Sequence, residues 1–321
     1  MLSESGKLGF ITPNSYFKNS SHKAFRNYLC NSGILHKLIN YGDSKVFDGA
    51  DTYTTITILD KEKNNKKLYY TESNGTKDLF GVTLDLSSFK SKDNWAFGNK
   101  EDNLFLEQNS RLKTKLGSIC NIQYGVCTNR DKVYIGKYIP KTKKTGIFNG
   151  FEVEKSILRP VVKVSTYNGV ITDMILFPYY WDKSKSKYEP IKESVLRKKY
   201  PLAYKYLLHH KESLESRNMD NNASTWYQFA RSQGLVNMNN NKLLVKHIFN
   251  SKEDKLTIYE VPKHVIIYAG IYVTVSDKER KRVDKILNSR DLCRYLKLLG
   301  KDMSGGYKFI TPKYIKSYGI K

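Results

Sequence analysis

Leu8-Gly9-Phe10-Ile11-Thr12-Pro13-Asn14-Ser15-Tyr16 stands near the start of the chain. Leu8 to Ile11 reads as a short strand, and Pro13 stops it because proline offers no amide to a sheet ladder. Asn19 and Ser20 are plausible caps for a helix running to about Asn31, with Phe25, Tyr28 and Leu29 on one face. Gly33 ends that helix. Ile34 to Tyr41 is a second strand, Gly42 to Asp51 a polar loop holding Val46-Phe47, and Tyr53 to Leu59 a third strand rich in β-branched residues. The order strand, helix, strand, loop, strand is the closing part of an α/β sheet. Little chain stands before residue 8 to cover the first strand, and an uncovered sheet edge is a liability. Another chain, or sequence upstream in the gene product, is expected to cover it.

Composition points to a polyanion. The 321 residues carry 55 Lys plus Arg against 31 Asp plus Glu, a formal net charge of +24. Tyrosine occurs 24 times, and rings among cations suit sugar, phosphate and base contacts. A Lys-, Asn-, Ile- and Tyr-rich sequence is also what an AT-rich genome encodes by default, so composition alone leaves the partner open. The cysteines, Cys30, Cys120, Cys127 and Cys293, form no C-x-x-C pair, and the six histidines are scattered. Neither a disulfide framework nor a metal site is expected. There is no signal-peptide pattern and no apolar run near the roughly 18 residues of a membrane span. A cytoplasmic protein without membrane contact is expected.

Gly9 to Tyr16, together with Asp43-Ser44-Lys45-Val46-Phe47 and Asp51-Thr52-Tyr53-Thr54-Thr55, resembles the later motifs of amino-group (N6-adenine) DNA methyltransferases of the TaqI type. The resemblance implies that these segments are the last three strands of a Rossmann-like cofactor-binding sheet. It also implies that Phe47 stacks on an adenine flipped out of the duplex, where an aromatic face replaces lost base stacking. A plain loop-to-core anchor is the alternative for Phe47. The family's Gly-rich loop for S-adenosylmethionine and its Asn-Pro-Pro-Tyr/Phe motif find no match; there is no Pro-Pro at all. Both would precede residue 1. The chain alone is therefore expected neither to bind S-adenosylmethionine productively nor to methylate DNA. A separate polypeptide carrying the N-terminal methyltransferase half is a candidate partner.

Asn64 to Gly75 is polar and reads as a surface loop or hairpin tip, Leu79 to Phe89 as a further strand, and Leu104 to Leu116 as a helix. The expected organisation is a remnant of the catalytic domain over 1–110 and an α+β target-recognition domain over 111–321. In the second part the resemblance continues through Ile122 to Asn129, Leu158 to Lys163, Ile175 to Tyr180 and a block at Trp226 to Leu235. A looser likeness to the specificity subunits of Type I restriction systems makes a stand-alone specificity subunit the runner-up.

The block Trp226-Tyr227-Gln228-Phe229-Ala230-Arg231-Ser232-Gln233 mixes rings with side chains that read base edges, Arg for guanine and Gln for adenine. Packing of a small domain is its bland alternative. Trp226, Tyr227, Arg231 and Gln233 are the residues expected on double-stranded DNA. Gly125, Thr128 and Asn129 suggest a tight turn whose free amides meet phosphate, or simply a turn. Arg159 and Lys163 are candidates for phosphate or base; Arg159 could instead pair with Glu152 or Glu154. Pro201 to Arg217 reads as an amphipathic helix with Leu207, Leu208 and Leu214 inward. Near the C-terminus Gly305-Gly306 matches the family's closing segment, with Tyr307 and Lys308 as flanking DNA contacts. A metal-dependent nuclease would need an acidic cluster. Glu152-Val153-Glu154-Lys155 comes nearest and has the wrong spacing.

Overall fold

The computed structural model describes residues 3–50, 52–62, 65–89, 94–221 and 223–321. They form a mixed α/β protein in two compact units. The first unit contains residues 1–116, 248–255 and 288–321, and the second contains 117–247 and 256–287. The expected division at 110/111 lies a few residues from the first crossing. The two later returns to the first unit have no counterpart in that division.

The first unit is built on a five-stranded sheet. Its strands are β1 (Lys7–Pro13), β2 (Leu35–Lys45), β3 (Tyr53–Asp60), β4 (Lys67–Ser73) and β5 (Asp78–Asp85). Their spatial order is β1-β3-β2-β4-β5. β3 is antiparallel to both β1 and β2, and β4 is parallel to β2, so β1, β2 and β4 all run the same way. The helix α1 (Lys23–Asn31) connects β1 to β2. It buries Arg26, Leu29 and Cys30, whereas Phe25 and Tyr28 are exposed. The buried face is therefore rotated from the expected one: the Arg26 guanidinium donates to the carbonyls of Tyr16 (2.6 Å) and Asn19 (2.8 Å), which fixes the helix on that side. Gly33, at φ +68°, takes the left-handed turn that ends the helix. The apolar core joins Tyr16, Phe17, Leu29, Leu38, Tyr70 and Trp95.

The polar run after residue 64 is not a loop: Lys67–Ser73 is the fourth strand, paired on both sides, with Leu68 and Tyr70 buried. Only 74–77 turn, around the Asn74 side chain. The helix placed over Leu104 to Leu116 is α2 (Lys100–Arg111), started by Asn99, whose side chain accepts from the Asp102 amide at 2.9 Å.

β1 is an edge strand, and Phe10 and Ile11 are exposed on it. Beside it lies an apolar groove of about 430 Å³ lined in part by Leu8, Phe10, Tyr16, Phe25 and Leu59.

The second unit contains two four-stranded sheets. In one, β6 (Asn121–Tyr124) pairs with Ile271–Thr274, which pairs with Lys242–Val245 and through it with Ile258–Val261, all antiparallel. In the other, Leu158–Lys163 sits between Asp173–Leu176 and a parallel Ile266–Tyr268. The unit also holds a three-stranded sheet over 138–154, a two-stranded one joining Tyr179–Asp182 to Lys187–Pro190, and helices including Glu193–Lys199, Pro201–His209, Lys211–Glu215 and Asp277–Leu287. The expected single helix over 201–217 is thus broken at His210. Leu207 and Leu214 are buried as expected, and Leu208 is exposed.

Lys242 lies fully buried in this unit. Its ammonium donates to the carbonyls of Met238 (2.6 Å), Asn240 (2.8 Å) and Lys263 (3.1 Å). Burial nonetheless brings its pKa down to about 7. The unfolded chain holds this proton up to a pH of about 10.4. Between the two values the unfolded state binds more protons, so this group's contribution to stability rises with pH. Urea unfolding at pH 6.5 and 9 is expected to move in favour of the wild type relative to Lys242→Met at the higher pH. An unchanged difference would mean that the ammonium stays charged in the folded protein.

Candidate nucleic-acid interface

The segment 224–235 folds back on itself rather than forming a strand. The buried Gln228 side chain accepts from the amides of Ser224 (2.9 Å) and Thr225 (3.1 Å) and closes a turn. Tyr227 is fully buried, and its hydroxyl donates to the Ile191 carbonyl at 2.5 Å. The Phe229 amide donates to the Tyr179 hydroxyl at 2.6 Å, and its ring packs edge-on against Tyr134. Tyr227 is therefore a core residue and is withdrawn as a DNA contact. Gln228 is likewise spent on its own turn.

Trp226, Arg231 and Gln233 remain at or near the surface. Trp226 is half-buried, with the Lys211 ammonium over its ring and its indole N–H 3.4 Å from Glu193. The Arg231 backbone pairs with Cys127, and its guanidinium, about one-third exposed, lies 3.3 Å from Asp220. Gln233 is exposed in the single-turn helix Gln233–Leu235.

Arg217 holds this arrangement together, and nothing in the sequence reading singled it out. It is 6% exposed. Nη2 donates to the carbonyls of Trp226 (2.8 Å) and Gln228 (3.0 Å), Nη1 to Thr128 (2.7 Å) and Nε to Leu214 (2.8 Å). Its plane also lies over the Tyr134 ring. A basic residue at the end of a helix, ready to take up free carbonyls, was the available signal.

The turn at Gly125 is not an open phosphate nest. The Gly125 amide donates to the Gly270 carbonyl (2.9 Å) and the Val126 amide to Ile267 (2.8 Å). Thr128 is buried and its hydroxyl donates to Asp131. The turn serves close packing, because a Cβ on Gly125 would fall 2.3 Å from the Ile267 oxygen. Arg159 and Lys163 are both exposed on strand Leu158–Lys163. Arg159 pairs with neither Glu152 nor Glu154; its guanidinium donates to the carbonyls of Ser156 and Leu158.

In the first unit Phe47 is about half-exposed in the loop between β2 and β3; Asp51 of the same loop lies outside the described residues. Toward the carboxyl ends of β1, β2 and β4 is a cavity of about 310 Å³, lined in part by Asn14, Lys18, Asn40, Glu72 and Asp302. Asn40 donates to Glu72 at 3.0 Å, and burial raises the Glu72 pKa. Burial also lowers Lys18 to about 8. Lys308 reaches into this cavity and bonds Asp302, so it is held in an internal ion pair. Tyr307 is exposed beside it. Gly305 and Gly306, both at φ +76°, turn the hairpin that pairs Lys301–Met303 with Tyr307–Phe309. They serve left-handed backbone, not a close approach, since a Cβ would meet nothing nearer than 3.6 Å. A hairpin turn does not fit a methyl-donor loop, which needs a strand running into a helix N-terminus. Among the described residues no His, Cys, Asp and Glu group could hold a metal ion, and no helix is long and apolar enough to cross a membrane.

The sequence of residues 1–47 matches the family described as Eco57I restriction-modification methylase. The chain is 28% identical over 280 residues to the Type II restriction enzyme and methyltransferase RM.Eco57I of Escherichia coli, covering 78% of this chain and 28% of that protein. It is 26% identical over 157 residues to the Type II methyltransferase M.HindII of Haemophilus influenzae, covering 41% of this chain and 30% of that protein. The chain thus spans less than a third of the length of either relative. Its fold is similar to that of the Type IIL restriction-modification enzyme MmeI, solved in complex with DNA. The TM-score is 0.60 at 13% identity, over 96% of this chain and 38% of that one. The resemblance to restriction-modification DNA methyltransferases read from the sequence is borne out.

Proposed function

We propose that this chain is the DNA-reading part of an adenine-specific (N6) methyltransferase of a restriction-modification system. In this reading the β1-β3-β2 part of the first unit closes a Rossmann-like methyltransferase sheet, and the second unit is the target-recognition domain. The observation that carries it is the segment 226–233, which presents Arg231 and Gln233 on a backbone anchored by two hydrogen bonds from Arg217, whose other two tie it to Thr128 and Leu214. A rigid frame with adaptable polar tips is what base readout requires. The apolar edge of β1 suits docking of the half that would supply S-adenosylmethionine and the catalytic asparagine, as a separate chain or as another part of the same protein. Phe47 would stack on the flipped adenine, and Arg159, Lys163 and Tyr307 would meet the duplex. The protein works in the cytoplasm, on duplex DNA.

The test is binding of duplex DNA across salt, with site selection from a random pool and methyl transfer from labelled S-adenosylmethionine in parallel. Salt-sensitive binding with a selected sequence and no methylation by this chain alone is expected. Arg231→Ala should lower the ratio of specific to nonspecific binding by about tenfold or more, the worth of one bidentate base contact. Equal losses in both would make Arg231 a phosphate contact or a packing residue. Methylation by the chain alone would overturn the division of labour.

A further inference from the structure

We infer that a groove on the second unit, away from the segment 226–233 in sequence, carries one phosphodiester backbone of the bound DNA. This rests on the proposed reading of the unit as a DNA-binding domain. The groove encloses about 850 Å³, with Leu158, Pro160 and Met174 on its floor. Around it stand Lys143, Lys144, Lys155, Arg159 and Lys199, with Glu154 the carboxylate among its lining residues. These five cations are exposed.

Two features separate this groove from an ordinary solvated face. First, both oxygens of its carboxylate are already engaged. Glu154 Oε1 and Oε2 each accept a backbone amide at 2.9 Å, from Leu202 and Ala203, at the start of helix Pro201–His209. The negative charge is spent on the positive end of a helix. Glu152, two residues before it on the strand, is held by Lys141 at 2.7 Å and by Thr145. Second, the cations have no carboxylate partner among the described residues. Lys137 pairs with Asp173, Lys185 and Lys187 with Glu189, and Lys211 with Glu215, while other lysines of the unit such as Lys183 and Lys205 also form no ion pair among the described residues; the groove differs in that five such cations line one surface. Lys143, Lys144 and Lys155 form no ion pair among the described residues, and Lys199 lies over the neighbouring Tyr200 ring.

The rim is also held in place. The Thr142 hydroxyl accepts from the amides of Lys144 (3.1 Å) and Thr145 (2.9 Å), and the Lys155 amide donates to the Lys144 carbonyl at 2.8 Å. Lys144 and Lys155 are thus tied together by backbone. Five like charges around an open groove repel one another, and a polyanion relieves that repulsion. Phosphates would meet the ammonium groups, and the apolar floor would take the deoxyribose faces. Such contacts fix register and release counterions without reading sequence.

The experiment uses the full chain and its selected duplex. In the variant carrying Lys143→Gln, Lys144→Gln, Lys155→Gln and Lys199→Gln, the slope of log affinity against log salt should become shallower by about 3.6, at roughly 0.9 for each phosphate no longer neutralised. The selected sequence should not change. A control carrying Lys185→Gln and Lys187→Gln, which are already paired, should keep the wild-type slope. A quadruple variant with an unchanged slope, while the wild type binds, would overturn the groove and leave the proposed function standing. A control that loses as much per charge would overturn it too, by reducing the effect to net charge. A wild type that binds no DNA at any salt would overturn the proposed function itself, and the groove with it.

Discussion

Gly125→Ala is expected to destabilise the second unit by about 3 kcal/mol, the upper part of the usual range for overpacking a closed site. The added methyl would lie 2.3 Å from the Ile267 oxygen and 2.6 Å from its carbon. Both are backbone atoms of a strand paired to Leu158–Lys163, so no side chain can swing away. Gly125 is also approached from a second segment, because a Cβ on Gly234 would fall 2.4 Å from the Gly125 oxygen. Three backbone segments therefore pass at a separation only glycine permits, and Gly234 sits one residue after Gln233. Hydrogen exchange read by mass spectrometry separates the two units. Peptides over 121–127 and 226–235 should lose protection in Gly125→Ala, while those over 35–60 should not. Gly234→Ala should behave alike, and the double variant should cost less than the sum, since both clashes act on the Gly125 backbone and one shift of it relieves part of each. Unchanged protection would mean that the strands relax apart without cost.

Much of the first unit was legible because its strands follow local rules. Tyr53 to Asp60 is rich in β-branched residues, and Pro13 and Gly33 mark ends that the backbone obeys. β4 was missed although Leu68 and Tyr70 point inward at period two. Lysines, asparagines and a glycine flank it, and that flanking composition reads as loop. The block at 226–235 shows a different limit. Trp226, Tyr227 and Phe229 are all large aromatics within four positions, yet one is half-buried and two are core. Spacing cannot rank them, since burial is decided by Ile191, Tyr179 and Tyr134, brought in from roughly 40 to 100 residues away along the chain. The return of 248–255 and 288–321 to the first unit has the same cause. No local pattern announces a long-range partner.

Arg217 is the sharper case, since its position at a helix end is visible in the sequence but its acceptors at Thr128, Trp226 and Gln228 are brought to it only by the fold. Arg217→Met is expected to destabilise the second unit by about 4 kcal/mol, because it leaves several buried carbonyls without their donor. The four acceptors belong to Leu214, Thr128, Trp226 and Gln228, so the substitution frees the helix end, the turn after Gly125 and the recognition segment together. Arg217→Lys should recover less than half, since one ammonium cannot span acceptors that a planar fork reaches in three directions. The DNA readout separates positioning from direct binding. Arg217 is 6% exposed, so nonspecific affinity and its salt slope should stay at the wild-type value in the folded variant. The preference for the selected sequence should fall by about tenfold, as Arg231 and Gln233 lose their fixed backbone and with it the order-of-magnitude gain of preorganisation. A salt slope shallower by about 1 would identify the guanidinium as a phosphate ligand and remove Arg217 from the frame. Retained stability would mean that water takes over the four carbonyls, and that the segment holds its shape through Tyr227 and Phe229 alone.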